Sequence, residues 1–215
     1  MKYCFLILFC ISCVCFSQQT VVRSFTSDKK EIEITTDGLD QIIIANSDSD
    51  KVVIQLFDEN PNSHYIDINE ESSFLKIEFK SQFIQEEGVF KKFITKRLNR
   101  VWAVIELPKN KKIEILGTNV NVVSKSYNGS LKIFIDKGNV RLNKVQNNAE
   151  VSLFQGNVFA QILSNTNQDI KTNNGIIEVD KQKKNSPYKT KKLYSVNSFT
   201  VNSINANVFL TETPN

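Results

Sequence analysis

The sequence predicts an all-β fold: a single-stranded β-helix or β-solenoid, with an N-terminal region of longer strands continuous with it. Three observations carry that expectation. Small turns rich in Asn or Gly recur between Lys112 and Val179, at Gly117-Thr118-Asn119, Asn128-Gly129, Lys137-Gly138-Asn139, Asn147-Asn148, Gln155-Gly156-Asn157 and Asn173-Asn174-Gly175. Short strands of alternating apolar residues lie between them. The first half alternates in the same way over longer stretches. Turns roughly every nine residues suit strands stacked into a coil or wrapped into a sandwich.

Residues 1–17 read as an export signal: Lys2 at the start, an apolar stretch from Cys4 to Phe16, and Cys15-Phe16-Ser17 as the exit. The run is short of the roughly 20 residues that span a bilayer. Cys13, preceded by Ser12, offers a lipoprotein acylation site as the alternative processing route. Cleavage after Ser17 leaves 18–215 as one domain, with longer strands over 18–107 and the short-strand repeat over 108–215. All four cysteines (Cys4, Cys10, Cys13, Cys15) fall inside the signal, so the exported chain is expected to be held by its core alone.

Along the chain, Ile32 and Ile34 alternate with Glu31 and Glu33. Asp37-Gly38 turns into Gln41-Ile42-Ile43-Ile44, and Asn46-Ser47-Asp48-Ser49-Asp50 reads as a solvated hairpin turn before the strand from Lys51 to Phe57. Tyr65 to Ile68 and Phe74 to Phe79 continue the period of two, with up-and-down pairing expected. Residues 80–100 lack clean alternation; a short amphipathic helix and a bulged strand or loop both fit. Val101 to Leu107 resumes as a strand that Pro108 stops. Beyond it the expected inward positions are Ile113, Ile115, Val120, Val122, Leu131, Ile133, Ile135, Val140, Leu142, Val151, Leu153, Val158, Ala160, Ile170, Ile177 and Val179. Lys181 to Lys192 reads as an exposed loop. Tyr194 to Val196, Phe199 to Val201 and Asn207 to Leu210 read as closing strands or a cap.

The Ala103-Val104-Ile105-Glu106-Leu107-Pro108 strand end, followed by Gly138-Asn139-Val140, Gly156-Asn157-Val158 and Asn174-Gly175-Ile176, resembles the exported bacterial "putative adhesin" family in its Bacteroidetes-like version. The resemblance is clearest over residues 100 to 180. It implies a β-helical fold and a cell-envelope location, and brings no catalytic or binding residues with it.

The chemistry the residues offer is sparse. His64, the single histidine, sits beside a Pro-containing turn and reads as a surface residue without catalytic or metal partners. Asn46, Asp48 and Asp50 alternate like calcium ligands, but Lys51 stands where that loop needs glycine and Phe57 where it needs glutamate. No catalytic, cofactor or metal residue is assigned, and no cofactor is expected. With 27 Lys and Arg, one of them Lys2, against 23 Asp and Glu, the charge is too balanced for a nucleic-acid partner. Lys91, Lys92, Lys96, Arg97 and Arg100, interleaved with aromatics, are the candidate contact for an anionic surface, against a solvated face whose rings turn into the core. The function expected is a non-enzymatic exported envelope protein that presents a rigid surface to a glycan or envelope protein. The alternatives are a polysaccharide-acting enzyme and an envelope signalling or assembly partner.

Overall fold

The structure, a computed structural model, describes residues 19–59, 64–81 and 101–214. Among the described residues the chain is all-β, with sixteen strands in one open hydrogen-bonded sheet. In chain order these are β1 (Gln19–Thr26), β2 (Glu31–Thr36), β3 (Gln41–Asn46), β4 (Lys51–Asp58), β5 (His64–Glu70), β6 (Phe74–Ser81), β7 (Val101–Leu107) and β8 (Lys112–Asn119). There follow β9 (Asn121–Lys125), β10 (Ser130–Val145), β11 (Ala149–Leu163), β12 (Asn167–Thr172), β13 (Ile177–Val179), β14 (Gln182–Lys184), β15 (Tyr188–Thr190) and β16 (Ser198–Thr213).

The strands line up in two ladders. One runs β5, β6, β2, β8, the first halves of β10, β11 and β16, then β12 and β15. The other runs β1, β4, β7, β3, β9, the second halves of the same three long strands, then β13 and β14. The long strands join the ladders by bending at a corner without breaking, at Gly138 in β10 and Gly156 in β11, both at φ +146. Pairing through the middle is parallel and in register: Leu131 lies beside Ala149 and Val140 beside Val158, an offset of 18 residues also seen between Asn139 and Asn157. The predicted turn spacing is therefore half of the structural register, because alternate turns serve opposite corners.

Alternation explains why these segments are strands. Ile32 and Ile34 face inward on one ladder, Ile42 and Ile44 on the other, and the inward rows of both ladders merge into one core. Every inward position expected between Ile113 and Val179 is buried, none more than 4% exposed. Burying each Val, Leu or Ile side chain contributes roughly 1.5–3 kcal/mol, so no disulfide is needed to hold a stack of this size.

Four expectations need correction. Among the described strands of the first half only β5 and β6 pair up-and-down; β1 with β4 and β4 with β7 are antiparallel but not consecutive, and β2 and β3 pair in parallel with both of their neighbours. The short corner over Asp37 to Asp40 buries Leu39 and sends β2 and β3 to different ladders, which a hairpin cannot do. Asn46 to Asp50 is no hairpin turn either: β3 and β4 share a ladder but β7 lies between them, so the connection crosses over β7. Within Lys181 to Lys192 the chain forms β14 and β15, short antiparallel strands that close the far edges of the ladders. Finally, Tyr194 to Val196 is a loop, and β16 does not cap the stack: it lies between β11 and β12, with Phe199 flanked by Ala149 on one side and Gln168 on the other.

Asparagine finishes both corners. Asn121 Nδ2 donates to the Asp40 carbonyl, Asn139 Nδ2 to Asn121 Oδ1, Asn157 Nδ2 to Asn139 Oδ1, and Asn207 Nδ2 to Asn157 Oδ1, all at 2.8–3.2 Å. At the opposite corner Asn147 Nδ2 donates to Asn128 Oδ1. Near this corner, where Asn147-Asn148 lacks a glycine, the register slips between Leu142 and Val145 and Lys144 takes φ 48.

Tyr127 plugs that second corner. Its ring is buried and its hydroxyl donates to the Pro108 carbonyl at 2.9 Å. Burial pushes its pKa up from 10.0 to about 12, only partly offset by a backbone hydrogen bond at Lys111. A raised folded-state pKa means this stability is fully present well below pH 10 and is lost as pH rises through 12, by about 2 kcal/mol between pH 10 and pH 12. Urea unfolding of the wild type and Tyr127→Phe should therefore converge between about pH 9 and about pH 12. Curves that stay parallel would contradict this.

Candidate functional site

The outward side of the first ladder carries a shallow trough of about 420 Å3 that crosses five adjacent strands, β2, β8, β10, β11 and β16. Its construction follows from the register. Glu31, Lys112, Ser130, Asn148 and Ser198 form one wall; Glu33, Glu114, Lys132, Glu150 and Thr200 form the other. Between the walls Ile32, Ile113, Leu131 and Ala149 turn their side chains into the core, leaving backbone as the floor. With strands about 4.8 Å apart, four gaps give a length of about 19 Å.

The walls carry both signs of charge but are not fully compensated. Lys112 Nζ meets Glu31 at 2.9 Å, and Lys132 lies in register between Glu114 and Glu150. Glu33 stands directly beside Glu114, a like-charge neighbour that destabilises a sheet. At the β6 side Lys76 reaches Glu78 at 2.9 Å and Glu33 at 3.9 Å, and Lys80 bridges Asp67 and Glu78. Hydrogen bonds from Lys76 and Lys80 hold the Glu78 carboxyl below its usual range; Lys80 does the same for Asp67. This lattice fixes one end of the trough, while Phe74 is the aromatic among its lining residues.

The second ladder presents a different face. One row runs Val22, Gln55, Val104, Ile43, Val123, Arg141, Phe159, Phe209 and Glu178. Phe159 stacks on Phe209 with centroids 5.1 Å apart, and Arg141 covers its other side at 5.3 Å; in the neighbouring row Phe57 stacks on Trp102 at 5.0 Å. Rings stacked from strand to strand stand on edge, so the paired faces that would lie on a sugar are already covered. This face is an aromatic brace along the sheet.

His64 departs from its expected surface position. Its ring Nδ1–H donates to Asp58 Oδ2 at 2.8 Å, with side-chain exposures of 9% and 7%. The pair ties the end of β4 to the start of β5, and Gly38 leaves room for the ring, since a Cβ there would lie 2.6 Å from Nε2. Asp58, six residues before His64, is the signal that points to the pairing. Lys91, Lys92, Lys96, Arg97 and Arg100 lie outside the described residues, as do the signal segment and Cys13. Among the described residues no group of three or more His, Cys, Asp or Glu is placed to hold a metal, and no helix is long and apolar enough to cross a membrane. The trough walls were not singled out from sequence: their polarity is legible in the alternation, but their neighbours are set by register alone.

No protein-family model matches the sequence. No curated protein matches it either. Among solved structures, a "putative cell adhesion protein" from Clostridium sporogenes superposes with a TM-score of 0.60 at 11% identity, over 92% of this chain and 100% of that one. At that identity the likeness is one of fold. A "putative adhesin" from Bacteroides fragilis aligns over 92% of this chain and 98% of that one at 12% identity, with a TM-score of 0.40, too loosely to bear on the fold.

Proposed function

We propose that the chain is a non-enzymatic, exported cell-envelope protein, an adhesin-like β-solenoid that presents its charged trough to an extended polar polymer, a cell-surface glycan before an envelope protein. Residues 1–17 direct export, and 18–215 form one solenoid domain in which each 18-residue register step is a rung. The observation that carries the reading is the trough: ten outward groups in two parallel rows, repeating at the strand spacing. A polymer with hydroxyl groups along its length finds Ser, Asn and Thr to exchange hydrogen bonds with, and Glu and Lys to bind more strongly. Rigidity comes from the core beneath, so little ordering cost falls on the protein when it binds. The fold shared with the Clostridium sporogenes protein, whose description names cell adhesion, supports the same direction.

Replacing Glu114, Lys132 and Glu150 together with Ser is expected to weaken retention on envelope polysaccharide at least about tenfold, about 1.4 kcal/mol, without changing the thermal melt. The check is affinity electrophoresis or column retention on polysaccharide from the producing cell, with a parallel melt. Unchanged retention would discard the trough as the contact.

A further inference from the structure

The stretch 181–197 holds six lysines, Lys181, Lys183, Lys184, Lys189, Lys191 and Lys192, and no Asp or Glu, in a chain whose entire net charge is +4. It gathers more positive charge than the molecule carries overall. Structurally it comprises β14, β15 and the loop that leads back to β16. Some of the charge is answered by neighbours: Lys189 meets Asp169 at 2.7 Å, Lys192 meets Glu212 at 3.3 Å, and Lys183 lies across from Glu178. Lys181, Lys184 and Lys191 have no carboxylate within ion-pair distance among the described residues. Lysines on short edge strands also block edge-to-edge pairing, which accounts for Lys183 and Lys189.

Edge protection does not account for the loop. Leu193, Tyr194 and Val196 are 80%, 91% and 87% exposed, the three most exposed large apolar side chains among the described residues. Tyr194 takes φ 65, a left-handed geometry that is costly for a non-glycine residue. The flanking backbone is pinned: Lys192 N donates to Asn167 Oδ1, Ser195 N to the Lys192 carbonyl, and Asn197 Nδ2 to the Gln146 carbonyl. The loop is a tied turn that holds three apolar side chains outward; Lys191 adjoins it in the chain, Lys181 follows Asp180, whose carboxylate accepts from the N–H of Glu212, the partner of Lys192, and Lys184 on β14 donates to Gln182 Oε1 at 3.0 Å.

We propose that this end of the molecule docks on an anionic lipid surface, with Leu193, Tyr194 and Val196 entering the headgroup boundary and Lys181, Lys184 and Lys191 attracting the headgroups. The chemistry matches on each count. Aliphatic tips gain by leaving water, and a tyrosine sits well where one end is apolar and the other wet. Lysine stems lie along apolar surface while their ammonium groups reach anionic headgroups. A protein partner fits less well, since interface cores are depleted in lysine and three side chains form a small apolar patch. The inference is independent of the trough, which lies on the outward face of the first ladder.

The test is co-sedimentation with vesicles of phosphatidylcholine alone and of phosphatidylcholine with about a quarter phosphatidylglycerol, at about 0.1 M and about 0.5 M salt. The full chain, as matured by its export route, should bind only the anionic vesicles and lose most binding at the higher salt. Both Leu193→Ser/Tyr194→Ser/Val196→Ser and Lys181→Ser/Lys184→Ser/Lys191→Ser should reduce binding at least about tenfold, while the Glu114/Lys132/Glu150 variant binds as the wild type does. In a second measurement that requires no loss of side chains, Tyr194→Trp should show blue-shifted emission on anionic vesicles beyond any change from Trp102. Equal binding by the loop variants, no binding by the wild type, or loss of lipid-free self-association as the only effect of the triple loop variant would overturn the proposal.

Discussion

Gly156→Val is expected to cost at least about 4 kcal/mol and to lower the melting temperature by about 10 °C or more. The reason is backbone against backbone. Gly156 holds φ +146, which side-chain-bearing residues rarely adopt, and a Cβ there would lie 1.8 Å from the Gly138 carbonyl oxygen. That oxygen belongs to the equivalent corner of the adjacent strand and cannot swing aside as a side-chain end would. Relief would require prying β11 from β10 at the point where the two ladders join. Asn139→Ala, next to the same corner, meets no such overlap; it removes links of the asparagine ladder and should cost only about 1 kcal/mol. Thermal and urea unfolding of the two variants check the contrast, and similar small losses for both would contradict the corner geometry.

Phe199→Ala is expected to cost about 4 kcal/mol, at the high end for a core truncation. Phe199 is fully buried in β16, and its inward neighbour on β11 is only Ala149. The large ring fills the volume that the small side chain leaves, so its removal opens a cavity that the methyl of Ala149 cannot fill. Ala149→Leu in the Phe199→Ala background should recover part of the loss, whereas in the wild type it should overpack and destabilise. Additive effects in that cycle would show that the two side chains do not share one space.

Much of this fold was legible in the sequence, and the reason is the period of two. Wherever Ile, Val or Leu alternates with polar residues, one face must leave water, so Ile113 to Val179 could be sorted inward and outward before any strand was placed. The corners were legible because Gly138 and Gly156 do what other residues cannot. What alternation does not encode is which strand lies beside which. Ala149 and Val151 would have found inward partners equally well in Gln168 and Ile170, so nothing local indicates that β16 comes between them. Tyr194 and Val196 alternate as a strand should, yet they have no neighbour to pair with and remain outside the sheet. The trough suffers from the same gap: Glu33, Glu114, Lys132 and Glu150 are ordinary outward residues until a parallel register sets them in one row. His64 reads as a surface residue in sequence because neither helical nor strand spacing pairs it with Asp58, six positions earlier.

The insertion of β16 between β11 and β12 is the feature on which the row of residues, the trough wall at Thr200 and the placement of the 181–197 loop all depend. Engineered disulfides test it directly, in a background with Cys4, Cys10, Cys13 and Cys15 replaced by Ser. Adjacent strands bring outward Cα atoms within the roughly 4.4–6.8 Å that a disulfide tolerates, and strands two apart do not. Glu150→Cys with Thr200→Cys, and Thr200→Cys with Asp169→Cys, should each oxidise readily, while Glu150→Cys with Asp169→Cys should stay reduced. Ready oxidation of the Glu150–Asp169 pair, with the other two remaining reduced, would mean that β12 stacks on β11 and that this strand order is wrong.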